Sequence, residues 1–318
     1  MNTPTVLTVI LNYRTAEMTL ESAKSACIAM ADVPGGIVIV DNDSRDGSFE
    51  TIRAEVAKWE FDRIRVVASP RNGGFGAGNN YGMAQALPDG TPPDFVYLLN
   101  SDAFPATDAI SSLRDYMVAH PKVGITGSDI RGEDGVRHTA AFRFPSVASE
   151  FETAARTGVI SRMLSRHIVA LPTPDVPTRI GWTPGASFMM RRSMLDEIGA
   201  FDEGYFLYFE ETDLCLRADR AGWETHFVPQ SHVVHIGSVS TGMGEWGRTP
   251  TYWFDSRRRY FVKNHGIATF WATILARLAG GLMWRLRAVL SRRPFGEARF
   301  FLSDLIRHAC APRKDTLQ

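Results

Sequence analysis

The residues best suited to chemistry here are acids. Glu210, Glu211 and Asp213 fall within four positions of residues 201–217, FDEGYFLYFEETDLCLR. Five large apolar side chains (Tyr205, Phe206, Leu207, Tyr208 and Phe209) stand before them, and no basic residue follows Asp202 until Arg217. The apolar block enters a core, so the three carboxylates emerge at its edge. There they repel one another unless a cation, a proton or a hydrogen-bonded substrate sits among them. The competing reading is an acid-rich first helical turn, favoured by the helix dipole. A carboxylate in this position can take the proton of a hydroxyl nucleophile while another bond breaks. Arg217, four residues after Asp213, is spaced to pair with it on a helix.

Other chemistry-bearing residues close apolar runs. Asp41 ends the run 37–40, and Asp43, Ser44, Asp46 and Gly47 after it are turn formers. Asn100-Ser101-Asp102 ends the run 96–99. An aspartate there can hold a hard divalent ion, Mg²⁺ or Mn²⁺, whose other ligands are phosphate oxygens. One Asp is a thin ligand set, which an imidazole such as His235 would extend; a lone histidine is otherwise a core or surface residue. The glycine-rich stretch Asn72-Gly73-Gly74-Phe75-Gly76-Ala77-Gly78-Asn79-Asn80 follows the third apolar run and lacks the Lys-Ser/Thr pair of a P-loop. It permits either close backbone approach to an anionic ligand or a tight strand-to-helix turn.

The elements that must position these residues alternate. Apolar runs at 6–11, 37–40, 64–68 and 95–99 are separated by helical spacing over 15–30 and 48–59 and by the glycine loop 72–82, which leads into a helix. Alternation at this pitch predicts a parallel, doubly wound α/β sheet, whose ligands bind beyond the carboxyl ends of its strands. Asn12, Asp41-Asn42 and Asn100-Ser101-Asp102 stand at those ends. Further on, the pattern predicts a helix over 106–119, a strand at 123–127 and a helical piece around 150–166. An apolar, small-residue stretch follows at 181–192, then short strands at 225–227 and 233–236. Residues 238–251 form a Gly/Thr/Ser-rich loop of the kind that covers a site.

Hydrophobic content of 44% and charged content of 22% describe a folded protein. Charge is divided unevenly: residues 251–318 carry 13 Lys/Arg against 4 Asp/Glu, and residues 1–250 carry 22 against 31. A basic tail on an acidic body suggests a polyanionic neighbour for the tail. Within it, residues 267–284 are apolar except for Arg277, with Trp271 and Trp284 near the ends. Eighteen residues just reach the spanning limit and Arg277 opposes spanning, so a helix lying at a membrane interface is expected. Packing on the body or on a second subunit is the other reading. Cys27, Cys215 and Cys310 are too few and too far apart for a disulfide framework or zinc site, and the first residues lack a signal-peptide pattern. Both point to the reducing cytoplasm.

Taken in order, these motifs carry a resemblance. Val9-Ile10-Leu11-Asn12-Tyr13, Val40-Asp41-Asn42-Asp43-Ser44 with Asp46-Gly47-Ser48, and the 72–80 glycine stretch resemble the nucleotide-binding half of family 2 glycosyltransferases. Leu98-Leu99-Asn100-Ser101-Asp102 is similar to that family's metal motif in an Asn-x-Asp form. Gly185-Ala186-Ser187 with Arg191-Arg192, and Gly199-Ala200-Phe201-Asp202-Glu203 running to Arg217, resemble its acceptor half. His235-Ile236-Gly237 with Ser240 resembles its late histidine motif. The match covers about residues 5–265 and is similar in flavour to rhamnosyltransferases of bacterial surface polysaccharides.

The resemblance implies a GT-A fold: a Rossmann-like, mostly parallel sheet flanked by helices, with a C-terminal helical extension. A catalytic domain would span 1–250 (nucleotide half 1–104, acceptor half 105–250), followed by the basic helical extension 251–318. It implies that Asp41, helped by Asn12 and Asn42, holds the nucleotide base. Asn72, Gly73 and Gly74 would shape the pocket, and Asn100 and Ser101 would serve the nucleotide sugar. Asp102 and His235 would bind a Mg²⁺ or Mn²⁺ cofactor, Glu211 would be the general base, and Glu210 or Asp213 would orient it or bind acceptor hydroxyls. The usual Asp-x-Asp is softened to Asn100-x-Asp102, and the usual Glu-Asp pair is Glu210-Glu211, one methylene longer. The implied activity is inverting transfer of rhamnose from dTDP-rhamnose to a glycan or lipid-linked glycan acceptor. The expected partners are donor, acceptor and a membrane surface through residues 251–318, not nucleic acid, with oligomerisation left open. The expected place is the cytoplasm, at the inner face of the plasma membrane. A UDP-hexose or UDP-N-acetylhexosamine donor, or a catalytically silent nucleotide-sugar-binding partner, are the alternatives. A sugar-nucleotide pyrophosphorylase would need a basic glycine loop after the first strand, where Asn12-Tyr13 stands.

Overall fold

The computed structural model describes residues 3–237, 247–291, 298 and 300–311; most of the 238–251 loop, Ser240 included, lies outside them. The strands are β1 (Val6–Asn12), β2 (Gly35–Asp41), β3 (Ile64–Ala68), β4 (Phe95–Asn100), β5 (Ala103–Pro105), β6 (Val123–Arg131), β7 (Thr178–Ile180), β8 (Ser187–Arg191) and β9 (Glu224–His235). The helices are α1 (Ala16–Ala29), α2 (Ser48–Val56), α3 (Gly74–Met83), α4 (Ala109–Ala119), α5 (Val147–Ala155), α6 (Gly158–Met163), α7 (Arg192–Ile198), α8 (Glu210–Arg220), α9 (Thr251–Leu290) and α10 (Phe301–Cys310).

All the strands join one sheet in the order β3-β2-β1-β4-β8-β6-β9-β5, with β7 added on β9. β1, β2 and β4 are continuous Val/Ile/Leu runs because helices cover both faces of this part of the sheet, and their side chains are buried almost throughout. β1 to β4 pair in parallel, as the alternation predicts. The second half is mixed: β8 runs antiparallel to both β4 and β6, and β5 antiparallel to β9, whereas β6 and β9 are parallel. The sheet is therefore mixed rather than parallel throughout.

Two local expectations are corrected. The strands at 225–227 and 233–236 are one twelve-residue strand, β9, whose register against β6 jumps between Ser128 and Asp129. Pro229 lacks the N–H that would continue the ladder, so the pairing bulges past it. The helical piece at 150–166 is broken in two, α5 and α6, at Arg156, which lies in the left-handed region with φ 47°.

The described residues fall into two compact units. The first is drawn from Met1–Phe142, Ala170–Phe206 and Glu210–Gly242 and holds the whole sheet; the second is drawn from Arg143–Val169, Leu207–Phe209 and Met243–Gln318. Residues 143–169 thus group with the basic tail. In the second unit, α5 packs on α9, and buried Glu150 accepts from Arg257 at 2.8 Å and Arg277 at 3.3 Å. Helix α9 breaks at Gly266 (φ 83°, ψ 164°), which divides its charged, aromatic first part from the apolar part.

Candidate active site

Helix α3 is pressed onto β1 by its glycines: a Cβ on Gly78 would come within 2.6 Å of Leu11 Cδ1, and one on Gly82 within 2.4 Å of Val9 Cγ1. At its start, Gly74 has φ 89°, and a Cβ there would overlap the Phe206 carbonyl oxygen at 1.9 Å. Phe75 N–H donates to that same oxygen at 2.9 Å. The close approach at Gly74 is therefore to the 201–206 segment, which the loop holds in place. Gly73 faces Ala77 and Arg71.

The polar strand ends lie side by side because the register pairs Asn12 with Asp41 and Leu11 with Asn100. Asn12 is fully buried, and its amide donates to Asp41 Oδ1 at 2.7 Å and Ser44 Oγ at 3.2 Å. Its oxygen accepts from the Thr19 hydroxyl at 2.8 Å and from the Thr15 N–H at 3.3 Å. With donors and acceptor so committed, Asn12 acts by fixing Asp41. Asp41 also accepts from the Ser44 hydroxyl at 2.6 Å and the Ser44 N–H at 3.1 Å. Asn42 donates to Asn72 Oδ1 at 3.1 Å and to the Gly74 carbonyl at 3.2 Å, fastening the glycine loop to the end of β2. Ser101 is buried, with its hydroxyl 3.3 Å from that of Thr15.

Asp102 and His235 are 133 residues apart, yet Asp102 Oδ1 lies 3.0 Å from His235 Nε2. The cause is the β5–β9 pairing: Ala103 stands opposite His235, and Ile236 N–H donates to the Asp102 carbonyl at 3.1 Å. Asn100 Nδ2 lies 3.4 Å from the same ring nitrogen. Nε2 therefore either donates to Asp102 or accepts from Asn100. A carboxylate oxygen and an imidazole nitrogen so placed are donors that a Mn²⁺- or Mg²⁺-like ion takes. Among the described residues no three His, Cys, Asp or Glu side chains cluster to hold a metal. The pair can therefore offer an ion two ligands and not a complete set.

Glu210, Glu211 and Asp213 occupy the first turn of α8, where the helix dipole favours acids. The chain reaches that turn through Tyr208 and Phe209, both in the left-handed region with φ 70° and 69°, a strain of about 1–2 kcal/mol per residue. The repulsion among the three acids is relieved in two ways. Asp213, fully buried, accepts from Arg217 Nε at 2.9 Å and from the Tyr205 hydroxyl at 3.1 Å, so the helical pairing with Arg217 is present. Glu211 is half-buried, and burial pushes its carboxyl above the usual carboxylate range. Glu210 is buried beside Gly76.

Glu211 Oε1 accepts from the Gly185 N–H at 3.1 Å. A Cβ on Gly185 would come within 2.9 Å of that oxygen and 2.7 Å of Phe75 Cζ. The adjoining Ala186 carbonyl accepts from Asn100 N–H at 3.1 Å, where β8 pairs with the end of β4. The turn before β8 thus ties Glu211 to the strand that delivers Asn100 and Asp102. The sequence placed Ser44 among turn formers and Gly185 in a motif resembling the acceptor half, but pointed to neither of them, nor to Thr19, as a partner of a site carboxylate or amide. Ser44 and Thr19 look like ordinary turn and helix residues, and Gly185 acts through its backbone N–H, which no residue type advertises.

Residues 4–261 match the family described as Glycosyltransferase like family 2. The chain is 30% identical over 218 residues to an N-acetylglucosaminyl-diphospho-decaprenol L-rhamnosyltransferase of Mycobacterium tuberculosis, covering 66% of this chain and 69% of that protein. It is 28% identical over 195 residues to the rhamnosyltransferase WbbL of Escherichia coli, covering 58% and 71% respectively. In fold it is similar to the mannosyltransferase PcManGT from Pyrobaculum calidifontis, solved with GDP-Man and Mn²⁺, at a TM-score of 0.57 and 14% identity over 97% of this chain and 87% of that one.

Proposed function

The chain belongs to the family 2 glycosyltransferases, and we propose that it transfers rhamnose, with inversion, from dTDP-rhamnose to a lipid-linked glycan in bacterial surface polysaccharide synthesis. The observation that carries this reading is the meeting of Asp102 with His235 at the strand ends, beside the turn that anchors Glu211. Its relatives among rhamnosyltransferases support the sugar, and the diphospho-decaprenol in one relative's name supports a lipid-linked acceptor. Such an acceptor places the work at the cytoplasmic face of a membrane, with residues 251–318 as the contacting part.

In this reading Asp41, held by Asn12 and Ser44, receives the nucleotide base, while Asn42 and Asn72 keep the glycine loop, Gly73 and Gly74, closed around it. Asn100 and Ser101 face the ribose and diphosphate. Asp102 and His235 would hold a divalent cation, which when bound neutralises charge on the departing nucleoside diphosphate. Glu211 Oε1 is occupied by Gly185 N–H, so Oε2 takes the proton of the acceptor hydroxyl as that oxygen bonds to the anomeric carbon and the sugar–phosphate bond breaks. The raised pKa suits a base. A single carboxylate acting as base, with none placed as nucleophile, yields one displacement and therefore inversion. Glu210 and Asp213 set the position of Glu211, Asp213 through its bond to Arg217.

The test is turnover on a panel of nucleotide sugars with Mn²⁺ and a polyprenyl-diphosphate sugar acceptor. Release of dTDP that depends on acceptor, with a product of inverted anomeric configuration, is expected. Acceptor-dependent release from UDP-sugars alone would overturn the donor, and no acceptor-dependent release from any donor would overturn the activity.

A further inference from the structure

Helix α9 beyond Gly266 has two apolar faces and only one of them is packed. Phe270, Thr273, Ile274, Gly280, Gly281 and Ala288 are buried. Gly280 lies so close to α5 that a Cβ would come within 2.6 Å of the Phe151 carbonyl, and Gly281 faces Leu302 of α10. The opposite face is exposed: Ile267 52%, Trp271 40%, Leu275 65%, Leu282 61%, Leu286 65% and Val289 64%. Their spacing of four or seven residues, then three, keeps them on one side of a 3.6-residue helix, and Leu278 falls on the same line. The stripe from Ile267 to Val289 is about 33 Å long at 1.5 Å per residue. A stripe of this kind exceeds the scattered apolar exposure normal for a soluble surface.

On α6, Val159 and Met163 are also 70% and 78% exposed. Between α5, α6 and α9 opens an apolar groove of about 550 Å³, lined by Val147, Phe151, Ile160, Met163, Leu164 and Ala276. The apolar surface is set in a basic segment, with Arg259, Lys263, Arg287 and Arg307 all exposed.

We propose that this face is a monotopic docking surface for an anionic lipid bilayer. In this arrangement the Ile267–Val289 stripe lies in the plane of the interface and Trp271 sits at headgroup level. Charge complementarity selects the occupant: the segment that carries the stripe, residues 251–318, bears 13 Lys/Arg against 4 Asp/Glu, which suits anionic headgroups above hydrocarbon. The helix is long and apolar enough to cross a membrane by composition, and only 28% of its apolar window is buried. Crossing would nevertheless strip Arg277 from Glu150 and carry it into hydrocarbon. Lying flat keeps the inner face packed. The inference rests on the reading that the acceptor is membrane-borne, and it adds the surface and the orientation.

The test is flotation of the full chain with phosphatidylglycerol/phosphatidylcholine vesicles, comparing wild type with the triple variant Leu275→Glu, Leu282→Glu, Leu286→Glu. All three positions are exposed, so the variant should keep its melting temperature. Wild type is expected to float, more weakly at about 0.5 M salt, and the triple variant to lose at least about tenfold in partitioning. A blue shift of Trp fluorescence on vesicles should disappear in Trp271→Phe. Equal flotation of the variant, or no flotation of wild type, would overturn the proposal. So would a dimer by light scattering that the triple variant dissociates, which would make the face a subunit interface. Turnover with a short, water-soluble acceptor separates the two readings, because it tests the glycosyltransferase without the membrane.

Discussion

Replacing Glu211 by Gln separates its proposed role as base from its place in the scaffold. Gln keeps an oxygen to accept the Gly185 N–H bond of 3.1 Å, and it is isosteric, so the turn before β8 and the strand ends it supports stay in place. Only the ability to hold a proton is lost. General-base assistance is worth about 10²–10⁴-fold, or about 2.7–5.4 kcal/mol of barrier at 1.36 kcal/mol per tenfold. Steady-state turnover of nucleotide sugar should fall by that factor in kcat, while donor affinity by calorimetry stays within about twofold. The stability effect has the opposite sign. Burial raises Glu211 above its ordinary 4.5, so the stability it contributes is fullest below that value and lost as pH rises through its folded-state pKa. Gln mimics the protonated form, so the variant should melt at or above the wild-type temperature at pH 7–8, with the gap closing toward pH 4. The wild-type kcat/KM profile should carry an acid limb above 4.5 that is absent from the residual activity of Glu211→Gln. Wild-type kcat in the variant, or a melting temperature that drops at pH 8, would refute the assignment.

Further outcomes follow from other contacts. Asp102→Asn should abolish Mn²⁺ binding in the presence of nucleoside diphosphate, read by electron paramagnetic resonance, and His235→Ala should weaken it; unchanged Mn²⁺ binding in both would remove the pair from the metal site. Gly74→Ala forces a side chain into the left-handed region and onto the Phe206 carbonyl, and should cost about 2–4 kcal/mol in urea unfolding. Glu150→Gln leaves buried Arg257 and half-buried Arg277 without their carboxylate, and should cost about 3–5 kcal/mol, with melting of the α5–α9 packing visible by hydrogen exchange. Ser44→Ala removes two hydrogen bonds around Asp41 and Asn12 and should raise the donor KM with kcat little changed.

Much of the first half of the molecule was legible locally. A continuous apolar run ending in a polar residue is a buried strand and its carboxyl end, which is why Asn12, Asp41 and Asn100 could be placed at strand ends from composition alone. The acid-rich turn of α8 and its Asp213–Arg217 pair were equally visible, because both depend on residues within one or two helical turns. Tertiary structure decided the rest. The direction of β8 follows from which strands it pairs with, not from its own residues, so its antiparallel pairing was not legible in the apolar stretch 181–192. β9 reads as two strands because Pro229 interrupts the local signal, and the long ladder to β6 carries it across. His235 meets Asp102 through β5–β9 pairing across 133 residues, and Glu211 is held by a backbone N–H of Gly185. Side-chain type and spacing specify elements and their faces. Which ends come together depends on hydrogen bonds between distant backbones, and those exist only once the sheet has formed.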